Sequence, residues 1–172
     1  HFHADQTHGI NDLRVFYLKQ QKKIPVYSDK LTAKYLYKNF SYCFTNKYDY
    51  PAILTLKPIK KKFKLGDTKN YINIKAIKVK HGLIDSIAYI INSKIAYVSD
   101  ANHFYNKDYD CFKDLKYLVI DCLRYNKHPS HFNLKDVIKI VNLFKPKKTI
   151  LTNLHTDLDY NQLLKILPNN IL

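Results

Sequence analysis

Apolar positions along this chain recur with two different periods, and the switches between them mark out its elements. Nothing periodic organises His1 to Gly9, a polar, His-dense stretch that reads as a loop. Ile10, Leu13, Phe16 and Tyr17 then fall at helical spacing behind Asn11 and Asp12, predicting a helix over Ile10 to Gln20. Ile24 to Tyr27 predicts a short strand, with Pro25 confining it to a strand start or a sheet edge. Ser28 and Asp29 cap a predicted helix carrying Leu31, Tyr35, Leu36 and Phe40. From Tyr42 to Asp67 no single period holds, and Pro51, Pro58, Gly66 and the run Lys60-Lys61-Lys62 indicate a long excursion with room for one short strand. A Lys run of this kind is ordinarily a solvated face.

Alternation returns at Tyr71 to Lys80, and Asn92-Ser93-Lys94 separates two further strands, Ala88 to Ile91 and Ile95 to Val98, as a hairpin. Tyr117 to Ile120 is continuously apolar, as in a buried central strand. Asn133 opens a helix with Leu134, Val137, Ile138, Val141 and Leu143 along one face, ending before Pro146. Thr149 to Thr152 reads as another buried strand, and Tyr160 to Leu167 as a helix stopped by Pro168. The order predicts a layered α/β fold, one domain over residues 1–172, with no internal repeat and no separable linker.

Composition narrows the function classes. Hydrophobic residues at 46% and aromatics at 14% are too abundant for a disordered chain. No apolar run approaches the roughly 18 residues of a membrane-spanning helix. Cys43, Cys111 and Cys122 are odd in number and far apart, which argues against a disulfide framework or a cysteine zinc site and makes a reducing, cytoplasmic compartment the default. The formal charge of +15 suits nucleic acid, but a skew to Lys, Asn, Ile and Tyr looks like codon bias and weakens that inference. The chain has no Met and opens on His1 without a charged-then-apolar leader, so it is expected to be part of a longer chain.

The densest chemistry lies at the start, where His1, His3, Asp5 and His8 fall within eight residues. Imidazoles and a carboxylate two residues apart can converge in an open loop, and they are what zinc or manganese takes where thiolates are absent. Other candidates sit at predicted strand exits: His81, Asp100 and His155, with His128 and His131 just before the Asn133 helix. Each of these His, taken singly, is as readily a surface or capped imidazole. Their repeated placement at strand exits favours a ligand site at one sheet edge.

These strings resemble the metallo-β-lactamase fold hydrolases: H-x-H-x-D, then His81-Gly82 after a strand, then a strand ending in Asp100, then T-N-x-H at Thr152 to His155. The longer strings His3 to Arg14, His128-Pro129-Ser130-His131-Phe132 and Leu151 to Tyr160 are similar to the branch containing phosphoribosyl 1,2-cyclic phosphate phosphodiesterase. The resemblance implies an αββα sandwich that lacks its first and last strands. It implies two divalent transition metals, zinc or manganese. His1, His3 and His81 would hold one, Asp100 would bridge, and Asp5 and His155 would hold the second; Asp5 and His131 would be catalytic, His131 as a phosphate contact or general acid. Two cations roughly 3.5–4 Å apart clamp a phosphodiester and bring the pKa of water between them to about 7. The family's His after Asp5 is Gln6 here, a poorer zinc ligand, so the second site is expected to be weaker or to prefer a harder ion, with His8 a ligand or a packing residue.

The implied activity is a phosphodiesterase on a small or cyclic phosphate ester. A ribonuclease Z-like nuclease shares the fold and would suit the basic charge, although no tRNA-gripping arm is recognisable and Phe63 and Tyr71 are too few for a stacking platform. A non-catalytic nucleic-acid-binding fragment with a decayed metal site is the reading of a different class, and the fold alone also accommodates lactamase or thioesterase chemistry. Expected partners are a small phosphodiester, with nucleic acid and a homodimer as further options and no membrane. Among the other polar residues, His103 reads as surface, and Asp121 is evenly balanced between supporting a ligand and being solvated. Asp157 and Asp159 read as helix caps, and Cys122 as an inert buried thiol.

Overall fold

A computed structural model describes residues 1–47 and 49–172, in two compact units, His1–Lys60 and Lys61–Leu172. In the first unit the predicted opening loop instead contains a helical turn, α1 (Ala4–Thr7). Thr7, which is buried, donates its hydroxyl to the His3 carbonyl at 2.9 Å and so closes a turn that has no apolar period to betray it. The helix expected from Ile10 is divided into a 3-10 segment, His8–Leu13, and α2 (Arg14–Gln20), which stops at Gln21 in the left-handed region, φ 52°. β1 (Ile24–Ser28) follows, then α3 (Lys30–Asn39), α4 (Ser41–Phe44) and β2 (Leu54–Pro58). β1 and β2 pair in parallel from Ile24 with Leu54 to Ser28 with Pro58. The α3 cap is Asp29, whose carboxylate accepts from the Leu31 and Thr32 amides at 2.8 and 3.1 Å and from the Thr32 hydroxyl at 2.6 Å. Ile10, Leu36, Cys43, Ile53 and Leu54 form the unit's core.

The second unit is built on a seven-stranded sheet. Its strands are β3 (Lys62–Gly66), β4 (Tyr71–His81), β5 (Ile84–Ile91), β6 (Ile95–Val98), β7 (His103–Phe104), β8 (Tyr117–Asp121) and β9 (Lys148–Thr152). The order is β3-β4-β5-β6-β8-β9, with β7 paired to β4. The span Tyr42 to Asp67 thus holds a helix and two strands where one short strand was expected. β2 takes its partner from residues some thirty positions away, which no local period reveals. β3 to β6 run antiparallel, while β6, β8 and β9 are parallel, with α5 (Leu134–Phe144) crossing between β8 and β9. The β5–β6 turn is made by Asn92 and Ser93 at φ 49° and 53°, as its composition predicts.

α5 is capped by Asn133, which accepts from the Asp136 amide at 2.8 Å, and it buries Leu134, Val137, Ile140, Val141 and Phe144. The buried stripe therefore includes Ile140 and Phe144, while Leu143, expected inside, is exposed. Phe144 packs against Phe104, Tyr109 and Phe112 at ring separations of 5.3, 5.4 and 5.6 Å, tying α5 and the 3-10 segment Asn106–Cys111 to the sheet. β8 is central as predicted, with Leu118 and Ile120 fully buried; β9 buries Thr149 and Leu151 as predicted but leaves Ile150 exposed, and its outer side bonds to Asn170 and Leu172. α6 (Tyr160–Ile166) closes the unit just before Pro168, under the cap of Asp159. Among the described residues no helix is long and apolar enough to cross a membrane.

Candidate metal centre

Three strands of the second unit end at the same edge. β4 stops on His81, β6 is followed two residues later by Asp100, and β8 stops on Asp121. The parallel register of β6 and β8, Val98 beside Ile120, brings the two acids to neighbouring exits. His81 and Asp100 are each 2% exposed and Asp121 is fully buried. The loop from β8 to α5 supplies His131. One ligand atom each from His81, Asp100 and His131 lie within 4.8 Å of one another.

The two imidazoles are fixed by hydrogen bonds at Nδ1. His81 Nδ1 is 2.7 Å from the Ser130 carbonyl oxygen; an acceptor there requires Nδ1–H and leaves the lone pair of the neutral ring on Nε2. His131 Nδ1 is 2.6 Å from Asp121 Oδ2, which also accepts from the Ala101 amide at 3.0 Å. The same His131 nitrogen lies 4.0 Å from Asp100 Oδ1, and the His81 and His131 rings meet edge to face at 4.7 Å. Asp121 is thus a support for His131 and not a solvated acid. Burial raises its pKa to about 6, against the bonds from His131 and Ala101 that favour the anion, with the Asp100 charge adding to the rise.

Turn chemistry holds this edge together. Gly82 sits at φ +60°, and its amide reaches Asn102 Oδ1 at 3.1 Å while Asn102 Nδ2 donates to the Pro129 carbonyl at 2.8 Å. A Cβ at Gly82 would lie 3.0 Å from the Ser130 Cβ. Asn153, at φ 61° past β9, donates to the Ser99 carbonyl at 2.5 Å, which ties the β9 exit to the β6 exit. The Asp100 carbonyl accepts the Ser86 hydroxyl, whereas Asp100 Oδ2 is buried with no hydrogen-bond partner among the described residues. A buried carboxylate oxygen in that state is stabilised by a cation. The His81 imidazole and the Asp100 carboxylate are donors that suit a divalent transition metal, with the His131 ring beside them. The residues fit the group.

The remaining predicted ligands are placed as follows. His155 is exposed and lies outside this cluster; its Nδ1 is 3.2 Å from Asp157 Oδ1, so Asp157 pairs with His155 and only Asp159 caps α6. In the first unit, His1 and His3 lie ring to ring at 4.4 Å, with His3 at the N-cap of α1. Asp5 is in the first turn of α1, and its Oδ2 accepts from Gln6 Nε2 at 3.2 Å. His8 packs on Phe40 at 5.6 Å and lies 3.5 Å from the Tyr35 hydroxyl. His128 receives the Ser130 amide at 3.3 Å, and burial, then the nearby His131 and Arg124 charges, push its pKa down. Sequence reasoning missed Ser130, Asn102 and Asn153, which act through backbone bonds and turns; the one available signal was the Asn in the T-N-x-H string.

The chain matches the β-lactamase superfamily domain over residues 1–153. It is 26% identical over 178 residues to an octanoyltransferase from Porphyromonas gingivalis (strain ATCC BAA-308 / W83), covering 99% of this chain and 34% of that protein. Among solved structures it is similar to a diphosphatase from the PhnP family, at TM-score 0.86 and 24% identity over 99% of this chain and 64% of the other. It is also similar to the metallo-β-lactamase fold protein YhfI from Bacillus subtilis, at TM-score 0.73 and 16% identity over 96% of this chain and 66% of the other. Human tRNase Z, short form, gives TM-score 0.65 and 16% identity over 90% of this chain and 70% of that one. The chain spans about a third of the curated relative and under two thirds of the diphosphatase. The mixed α/β architecture is that of the metallo-β-lactamase fold, and the chain belongs to the β-lactamase superfamily domain family.

Proposed function

We propose that this chain is the metal-binding part of a hydrolase that cleaves phosphate esters, with a small or cyclic phosphodiester as substrate. The observation that carries the reading is the buried Asp100 carboxylate, grouped with His81 and His131 and holding one oxygen without a hydrogen-bond partner among the described residues. Family membership supports hydrolysis, and two of the similar structures are by name a diphosphatase and a tRNase, both enzymes of phosphorus–oxygen bonds.

In this reading His81 and Asp100 bind a zinc or manganese ion in the second unit, and the resemblance assigns His1, His3, Asp5 and His155 as the further ligands of a pair. Bound divalent metal supplies Lewis acidity and hydroxide at neutral pH. This chain's own residues do the rest. The Ser130 carbonyl holds the His81 ring by Nδ1 and leaves the lone pair of Nε2 for the ion. Asp121 holds His131 by Nδ1 and stabilises its imidazolium, so the proton on Nε2 can pass to the leaving oxygen of an ester. Gln6 in place of imidazole makes the second ion the weaker or harder one.

The test is elemental analysis of the full-length protein together with hydrolysis of bis-p-nitrophenyl phosphate, with and without chelator. Bound transition metal and chelator-sensitive turnover are expected; a metal-free protein or chelator-insensitive turnover refutes the reading. His131→Ala should lower turnover and keep the metal. A nuclease reading is favoured by the cationic hairpin, where Lys62 and Lys64 accompany Lys75 and Lys64 Nζ lies 3.9 Å over the Tyr71 ring. Preference for an oligonucleotide over the small diester would select it.

A further inference from the structure

The three thiols differ in environment. Cys43 and Cys122 are fully buried, and burial, followed by the Asp121 and Asp157 charges, pushes the Cys122 thiol up to about 12. Cys111 ends the 3-10 segment Asn106–Cys111, is partly exposed, and has Lys75 Nζ 2.7 Å from its Sγ. That separation is at the short end even for nitrogen bonded to the smaller oxygen atom. Asp110, the carboxylate next in sequence, is taken by Lys113 at 2.7 Å. A nitrogen nucleophile and a sulfur nucleophile therefore stand in direct contact.

We propose that Lys75 and Cys111 are an oxidant-dependent cross-linking pair that closes a Nζ–Sγ sulfenamide in the presence of a peroxide. The Cys111 sulfur attacks one peroxide oxygen; an S–O bond forms, the O–O bond breaks, and water leaves, giving the sulfenic acid. The Lys75 side chain gives up its ammonium proton to solvent, and the amine then attacks that sulfur. An N–S bond forms, the S–O bond breaks, and the departing hydroxide takes an amine proton and leaves as a second water. One peroxide is reduced to two waters, and the side-chain pair loses two hydrogen atoms. The bond ties β4, six residues before His81, to the segment after β7, and excess thiol reopens it. The inference is independent of the metal reading.

The experiment treats reduced full-length protein with hydrogen peroxide, digests it without reductant, and reads peptide masses. The expected result is a Lys75–Cys111 linked peptide lighter by two hydrogens, lost on treatment with dithiothreitol, with Cys43 and Cys122 unmodified. Lys75→Arg keeps the charge but not the amine, and the linked peptide should fall to background while Cys111 proceeds to sulfinic acid. A wild-type Cys111 that oxidises without a linked peptide, a bridge that retains oxygen, or a disulfide dimer through Cys111 overturns the proposal.

Discussion

Replacing Asp121 with Asn removes a fully buried carboxyl while keeping its shape, and its effect on stability should depend on pH. In the metal-free folded chain burial pushes the pKa of this carboxyl up to about 6, from an ordinary value of 3.8. The gap of roughly 2 units is worth about 3 kcal/mol. Below the unfolded value both states hold the proton, and the wild type bears no penalty. As pH rises, the unfolded chain releases its proton first, so wild-type stability falls, and the loss is complete once pH passes the folded value. Asn has no such titration. The stability of wild type relative to Asp121→Asn should therefore decline by about 3 kcal/mol between about pH 3.5 and pH 7, while pH-independent costs of the substitution drop out of the slope. Urea unfolding of chelator-treated full-length protein, followed by far-UV circular dichroism, measures this at each pH. Repeating the comparison in a His131→Gln background removes a bond that favours the anion and should move the window to higher pH. A difference that stays flat from about pH 4 to pH 7 refutes the argument, because it means that Asp121 is ionised throughout.

Asp100→Asn should lower the metal content of the full-length protein and leave its far-UV spectrum unchanged; unchanged metal content sets Asp100 aside as a ligand. Chelator should lower the thermal midpoint of the full-length protein, since a ligand at 100 times its Kd adds about 2.7 kcal/mol, and a midpoint insensitive to chelator refutes tight binding. Asp29→Ala should cost about 1 kcal/mol at neutral pH by urea unfolding. Burial opposes ionisation of Asp29, but the bonds from Thr32 and Leu31 outweigh it and hold the pKa below the ordinary 3.8, so that contribution is present above the ordinary value and disappears as pH falls through the folded one. Gly82→Ala should cost about 1–2 kcal/mol, because alanine is strained at positive φ and its methyl meets Ser130; a neutral result would show that the turn relaxes.

What could be read in advance depended on how local each cause is. β4, the second half of β5 and β6 follow from local apolar pattern and turn residues, β8 from a continuous apolar run, and the caps at Asp29 and Asn133 from neighbouring residues, whereas Ile84 to Ile87 of β5 went unread. The β1–β2 pairing joins segments thirty residues apart, and α1 is one turn closed by a buried Thr7 hydroxyl, so neither leaves a periodic trace. Leu143 and Phe144 are adjacent apolar letters, and only packing against Phe104 and Phe112 decides which turns inward. At the centre, His81 and Asp100 were legible as polar residues at strand exits and His131 as an imidazole just before the Asn133 helix. Asp121 was not separable from a solvated acid, because a letter carries no burial, and the acceptor that fixes His81 is a backbone carbonyl at Ser130 that any residue type would supply.

The mixed sheet also sets an order of assembly. β3 to β6 are joined by short turns, and such hairpins form in roughly microseconds. β6 and β8 are parallel and need the intervening chain to wrap before Val98 meets Ile120. Asp121 reaches the exit of β6 only at that late step, so the His131 ring gains the carboxylate that holds it only once the parallel half of the sheet has closed.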